Sequence, residues 1–164
     1  MKKNKLKSID IILLSFMIIF CLFSIGIRSE ESRSSVTQDE ITQITNFLNF
    51  LRTNSPSWNL DKFISFVSPE GVTFSDINDP QPDKCYNLQQ IKESLTKHDG
   101  KVYETIYHLS EIYSIPSPQY SELNFRKKDN NVDAHVGDWY VLTFKLEKGR
   151  CLLIKCEYTV LEGG

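Results

Sequence analysis

The chain of 164 residues is long enough for one globular domain, because compact domains most often have about 100 to 150 residues. Hydrophobic residues make up 40% of it, with seven Gly and six Pro, a composition that excludes a fibrous repeat and wholesale disorder. Four of the 19 Lys and Arg residues but one of the 21 Asp and Glu residues precede Ile27, so the rest of the chain has a net charge of −5. An acidic domain repels phosphate backbones, which argues against nucleic acid as a partner.

The N-terminal segment has the order of a secretion signal. Lysines precede an apolar run from Ile9 to Ile27, and positive charge before such a run marks the cytoplasmic side. We therefore predict that residues 1–27 are a signal peptide or a membrane anchor. Cleavage near Gly26 would release the domain, whereas the uncleaved segment 9–27 would anchor it. Membrane contact is expected only through this segment.

The tether and the first helix follow. Residues 28–36 begin with the sequence RSEESRSS, a charged and Ser-rich composition that cannot bury apolar surface and is typical of a flexible tether. We expect residues 37–164 to fold as one α+β domain. Thr37 and Glu40 have the spacing of a capping box, which predicts a helix that runs to about Thr53.

The middle of the chain alternates between helix and strand signals. Asn59 is a predicted N-cap of a second, short helix, and a short apolar strand at Val72–Phe74 follows it. Asn87 caps a third helix that ends near Gly100. The stretch Val102–Ile115 fits either period, and its aromatic and β-branched content favours strand.

The C-terminal part predicts a β-hairpin. Apolar residues alternate from Tyr140 to Leu146 and again from Leu152 to Val160. A three-residue loop, Glu147-Lys148-Gly149, would pair Phe144 with Leu152 and Tyr140 with Cys156, which places both apolar sets on one face. A two-residue loop would put the two sets on opposite faces, and we therefore predict the longer loop.

This order of elements resembles the cone-shaped domains of the nuclear transport factor two and ketosteroid isomerase superfamily. The segment DKFISFVSPEGVTFS, residues Asp61–Ser75, is similar to the passage from helix to strand in exported bacterial members. The resemblance implies N-terminal helices packed in a curved antiparallel sheet, with a pocket at the open end for catalysis, ligand binding or subunit contact. No catalytic motif of the enzyme branches matches this chain, so the resemblance implies no site residue.

Histidines are the candidate acid-base residues. His98 lies at the predicted end of a helix, where a surface role is the simpler interpretation. His108 could line a pocket, although a hydrogen-bonded, partly buried histidine is the commoner case. His135 and Asp138 are three residues apart and could form a pair, but a loop after Asn130 is the plainer interpretation.

Aromatic residues are the candidate ligand contacts. Tyr107, Trp139 and Tyr140 could line an apolar cavity, although aromatic residues at strand spacing more often fill a core. The sequence has no Gly-rich phosphate loop, no nucleophile elbow and no His-Glu-x-x-His motif. Its cysteines also lack the paired spacing of zinc sites. We therefore expect no cofactor and no metal.

The cysteines suggest a disulfide, because export leads to an oxidising compartment. Cys151 and Cys156 are five apart on one predicted strand, about 16 Å, which is too far for a bond and places them on opposite faces. We therefore favour a pair between Cys85 and Cys156. The pair of Cys85 with Cys151 is the alternative, and an all-reduced chain is the third outcome.

Three functions are compatible with these signals. The first is an exported noncatalytic domain that binds a small ligand or an envelope protein through the pocket of the cone. The second is a pocket enzyme of the isomerase, dehydratase or hydrolase type with a histidine as acid or base. The third is a structural subunit that forms a homodimer through the outer sheet face, which would require a large apolar patch there.

Location gives the first testable prediction. Because residues 1–27 have the order of an export segment, cell fractionation is expected to place the domain outside the cytoplasm, and N-terminal sequencing distinguishes a start near Ile27 from an uncleaved anchor. Recovery of the chain in the soluble cytoplasmic fraction with Met1 intact would refute the prediction.

Overall fold

The structure is a computed structural model that describes residues 35–76 and 83–159. The predicted export segment and most of the predicted tether lie outside these ranges. The described ranges belong to one compact unit, residues 34–164. Its elements in chain order are α1 (Gln38–Asn54), α2 (Leu60–Ile64), β1 (Val72–Asp76), β2 (Lys84–Tyr86), α3 (Leu88–Lys97), α4 (Gly100–Ser114), α5 (Pro118–Ser121), β3 (Leu123–Lys128), β4 (Asn131–Val136), β5 (Tyr140–Glu147) and β6 (Arg150–Tyr158).

The strands form one six-stranded mixed sheet in the order β2-β1-β6-β5-β4-β3. β1 and β6 run parallel, and every other neighbouring pair is antiparallel. Helices cover the inner face, where Phe47 of α1 packs edge-on against Phe144 of β5 with 5.8 Å between ring centroids. The fold is therefore α+β, with helices packed against a sheet. None of the helices within the described ranges is long and apolar enough to cross a membrane.

The helix starts agree with the sequence analysis. At the start of α1, the Thr37 N–H donates to Glu40 Oε2 at 2.8 Å and the Glu40 N–H donates to Thr37 Oγ1 at 3.3 Å, so the predicted capping box is confirmed. The Asn59 side chain caps α2, and Asn87 forms a second capping box at the start of α3. These short-range signals need no tertiary contact and are readable from the sequence alone.

The prediction of a strand at Val102–Ile115 is wrong, because this segment is the 15-residue helix α4. Val102, Ile106, Leu109 and Tyr113 are all buried, and their spacing of four, three and four residues is that of one helical face. Burial of that face against α1 and the sheet outweighs the strand preference of the aromatic residues.

The hairpin exists, but its loop has two residues rather than three. Lys148 and Gly149 both have positive φ, 50° and 76°, as a two-residue turn of the primed type requires. The ladder then has a β-bulge at Ile154, because Phe144 pairs with Leu153 while Thr143 pairs with Lys155. This extra residue reverses the alternation, so Cys151 and Leu153 share the inner face with Cys156 and Tyr158. The predicted pairs are therefore wrong, because Leu152 is paired with Lys145 on the other face and Tyr140 is paired with Tyr158.

The cysteines do not form the predicted disulfide, since Cys85, Cys151 and Cys156 are all free thiols. Cys85 is paired across β1 with Thr73, and Cys156 with Phe74, so the two cysteines point to opposite sheet faces. One whole strand lies between them, a separation of about 9.6 Å or more against the limit of about 7 Å for a disulfide. The bulge also corrects the predicted placement of Cys151, which shares the inner face with Cys156.

Thiol labelling tests this arrangement. Cys85 is exposed, whereas Cys151 and Cys156 are 6% and 0% exposed, and burial raises the pKa of Cys151 to about 11 from 9.0. A pKa two units higher lowers the thiolate fraction, so Cys151 is expected to react with iodoacetamide about 100-fold more slowly than an ordinary thiol. Peptide mass spectrometry measures each rate, with urea-unfolded protein as the control. A peptide in which Cys85 is linked to Cys156 would contradict the structure.

Candidate functional site

A cavity of about 410 Å³ lies between α4 and the ends of three strands. The helix contributes Lys101, Glu104, Thr105 and His108, and the strands contribute Ser75, Asp76, Tyr140 and Tyr158. The volume is within the usual range of about 300 to 1,000 Å³ for small-molecule sites. We refer to this cavity as the imidazole pocket, because a histidine lies in its wall.

Two periodicities place these side chains. On α4, Lys101, Glu104 and His108 follow at intervals of three and four residues, so they form a polar stripe beside the buried apolar face. On the sheet, Tyr140 of β5 is paired with Tyr158 of β6, and Tyr158 is paired with Asp76 of β1. These three strand positions share the inner face and lie opposite the stripe of α4.

A hydrogen-bond chain fixes the imidazole. The Nδ1 atom of His108 is 2.9 Å from the Tyr140 hydroxyl, and that hydroxyl is 3.3 Å from the carbonyl oxygen of Thr105. The Tyr140 hydroxyl has one proton. Both hydrogen bonds form when this hydroxyl donates to the Thr105 carbonyl oxygen and accepts from the Nδ1–H of His108. Nε2 of the imidazole then has a free lone pair and can accept a hydrogen bond from a ligand.

Aromatic rings surround the imidazole on three sides. The ring centroids of Trp139, Tyr140 and Tyr158 lie 6.4, 5.9 and 5.4 Å from that of His108, all edge to face. Tyr120 stacks on Trp139 at 5.5 Å and 18°, which supports the far side of this wall. Packed rings of this kind lose little freedom when a ligand enters, so the pocket is preorganised.

Both phenols in the pocket are neutral around pH 7. Burial is the main cause that raises the pKa of Tyr140 well above its ordinary value of 10.0, and the Asp76 charge acts in the same direction. Burial and the Asp76 charge likewise raise the pKa of Tyr158. The hydroxyl groups of Tyr140 and Tyr158 therefore keep their protons and can donate and accept hydrogen bonds, and neither phenol is an ionised base near neutral pH.

The structure places the candidate site residues of the sequence analysis at different positions. His108 and Tyr140 meet in the imidazole pocket, and Trp139 packs behind them. Tyr107 is on another side of α4, where it stacks on Tyr103 at 5.7 Å, and the hydrogen bond that its hydroxyl donates to Glu111 raises its pKa.

The pair of His135 and Asp138 is not part of this site. His135 belongs to β4 and not to a loop, which corrects the sequence-based interpretation, and it is paired with Val141. The neighbouring pair, Val136 with Tyr140, faces inward, so His135 is on the outer sheet face. Asp138 is exposed in the turn after β4. Within residues 35–76 and 83–159, no group of three His, Cys, Asp or Glu side chains could hold a metal ion.

Several pocket residues escaped the sequence analysis. Lys101 and Glu104 precede the candidate His108 at a clear helical spacing, but this spacing is not informative when the segment is assigned as a strand. Asp76 ends β1 next to an apolar run, and a polar residue at a strand end is a signal that could have been used. The inward position of Tyr158 was implied by its alternation with Cys156.

The sequence matches no protein family and no curated protein. Among solved structures, one similar chain is a protein of unknown function with a cystatin-like fold from Nostoc punctiforme, with TM-score 0.47, 5% identity, and 79% of this chain and 96% of that chain covered. Another is an NTF2-like protein from Anabaena variabilis, with TM-score 0.43, 10% identity, and 81% of this chain and 97% of that chain covered. The second is described by the superfamily that the element order resembles, and neither similarity assigns a function to the pocket.

Proposed function

We propose that this chain is a noncatalytic binding domain that holds a small, hydrogen-bonding organic molecule in the imidazole pocket. The observation that carries the proposal is the preformed arrangement of His108 and Tyr140, 2.9 Å apart in a cavity of about 410 Å³. A hydrogen-bonded imidazole and neutral phenols give orientation, and the ring edges around them give apolar contact. This combination suits a ligand with an apolar body and an uncharged polar end.

The charges around the pocket support an uncharged end. Asp76, Glu104 and Lys101 line the same cavity, so its wall has side chains of both signs. A ligand with a single strong charge would meet repulsion from one of the two kinds of side chain. A hydroxyl, amide or ether group meets no such penalty and can bond with Tyr158 or with Nε2 of His108.

The place of action is part of the proposal. The cationic and apolar order of residues 1–27 supports a domain that works outside the cytoplasm, either secreted or anchored. An envelope protein is the alternative occupant of the pocket rim.

A homodimer through the outer sheet face has less support. That face contains ion pairs such as Lys155 with Glu157 at 2.7 Å, together with the hydrogen bond from Thr143 to Asp133. Of the large hydrophobic side chains that the structure describes, Ile115 stands out as exposed, and it belongs to the end of α4. The apolar patch that such a dimer would need is therefore missing from the described part of this face.

An acid-base enzyme is the second candidate, because the pocket does bring a histidine face to face with a second polar group. Against it, Tyr140 is neutral and 2% exposed, so its hydroxyl orients the imidazole and is not presented to a substrate. Binding without turnover needs only these groups, whereas catalysis needs a further charge-stabilising group at the reacting atom.

Binding gives the next prediction. A protein-observed NMR screen of small alcohols, amides and ethers is expected to yield molecules that shift the backbone amide signals of His108 and Tyr158. Tyr158→Phe removes one pocket hydroxyl and is expected to weaken their binding about tenfold, the value of one net hydrogen bond. Tyr107→Phe is the matched control, because its hydroxyl is bonded to Glu111 outside the pocket wall. Equal affinity in both variants would contradict the proposal.

The histidine variants distinguish binding from catalysis. His108→Ala and His135→Ala are each expected to leave the biological role within about 100-fold of wild type, since removal of an essential acid or base typically costs that much or more. NMR spectra of a bound ligand are expected to stay unchanged over time. A larger loss in folded His108→Ala protein, together with turnover of the ligand by wild type, would establish the enzyme.

A further inference from the structure

A second pocket, of about 460 Å³, lies between α1, the segment around α2 and the start of β6. Its floor is aromatic, since Phe50 and Phe66 both line it and their ring centroids are 5.6 Å apart. Phe66 also packs on the fully buried Phe47 at 5.3 Å, so the floor is continuous with the core. We call this cavity the cationic pocket, for the two basic side chains in its wall.

The two basic side chains are Lys62 and Arg150. The Lys62 ammonium is 4.8 Å from the centroid of the Phe66 ring, a cation-π contact at the floor. The Arg150 guanidinium donates to the carbonyl oxygen of Ser65. Each cation is thus held by a neutral group at the same cavity, and neither forms an ion pair with a residue that the structure describes.

Four other lysines of the domain form ion pairs, in contrast to Lys62. Lys92, Lys127, Lys145 and Lys155 each have a carboxylate within 4 Å in the described ranges. The charges of Glu40 and Asp39 act on Cys151 in the pocket wall, and both carboxylates are hydrogen-bonded, since Glu40 accepts from Lys127 at 2.7 Å and Asp39 accepts from Gln43 at 2.8 Å. Two like charges that share a cavity repel each other, and an anion between them removes that repulsion.

A polar clamp holds Arg150 in this wall. Gln43 of α1 donates from Nε2 to the Gly149 carbonyl at 3.0 Å, and its Oε1 accepts the Cys151 N–H at 3.0 Å. These bonds fix the residues on both sides of Arg150 to the helix. The guanidinium therefore starts from a backbone that needs no rearrangement, which lowers the entropy that a ligand must overcome.

We propose that the cationic pocket binds a small organic carboxylate with an aromatic or aliphatic body. The carboxylate lies between the planar guanidinium of Arg150 and the ammonium of Lys62, and the body covers Phe50 and Phe66. A guanidinium matches the two oxygens of a carboxylate, and an aromatic floor favours a flat apolar body over a bare inorganic anion. This site differs from the imidazole pocket in both its residues and its ligand class.

Titration of the full chain with phenylacetate tests the proposal, followed by two-dimensional NMR of the backbone amides. Shifts are expected at Phe66 and Cys151, with His108 and Tyr158 unchanged, so the result is independent of the imidazole pocket. The neutral isostere phenylacetamide and the cation phenethylamine are expected to bind at least about tenfold more weakly, because a charge-assisted hydrogen bond is lost.

Variants at exposed positions complete the test. Arg150→Gln and Lys62→Gln are each expected to weaken phenylacetate binding about tenfold. Lys128→Gln removes the same charge from an exposed position of β3 and is expected to change nothing. Equal affinity for phenylacetate and phenylacetamide, unchanged affinity in both pocket variants, shifts confined to the imidazole pocket, or no shifts at millimolar phenylacetate would each overturn the proposal.

Discussion

Burial of one face of α4 is the constraint on which the rest of this structure depends. Val102, Ile106 and Leu109 are completely buried, so the helix has one orientation against the sheet and α1. Burial of the apolar stripe also sets the direction of the polar stripe beside it, because successive side chains are about 100° apart around the helix axis. His108 therefore faces Tyr140 as a consequence of core packing, and no separate element is needed to position it.

The two pockets differ in the charges of the side chains that line them. In the imidazole pocket, burial keeps the phenols of Tyr140 and Tyr158 neutral, and the surrounding side chains have both signs. In the cationic pocket, Lys62 and Arg150 have one sign, and their partners are a ring and a backbone carbonyl. The domain thus has two cavities with different charge environments at separate places.

Local chemistry explains which parts of the fold could be predicted from the sequence. The caps at Thr37, Asn59 and Asn87 depend on residues three positions apart, and each was predicted correctly. The helix α4 was missed because aromatic side chains satisfy a helical and a strand period over a short stretch, and only the position of the sheet decides between them. The imidazole pocket could not be predicted without that helix. The bulge at Ile154 could not be predicted either, because the alternation of apolar residues along β6 does not reveal it.

That bulge determines what β6 can do. Cys151 lies at the cationic pocket and Tyr158 at the imidazole pocket, seven positions apart on one strand. In a regular strand, positions an odd number apart project from opposite faces, so a single strand could not wall two cavities on the same side of the sheet. Ile154 shifts the phase by one residue between them. One unpaired residue thus lets a nine-residue strand line two cavities, and a one-residue insertion or deletion between Cys151 and Tyr158 would turn one of the two walls outward.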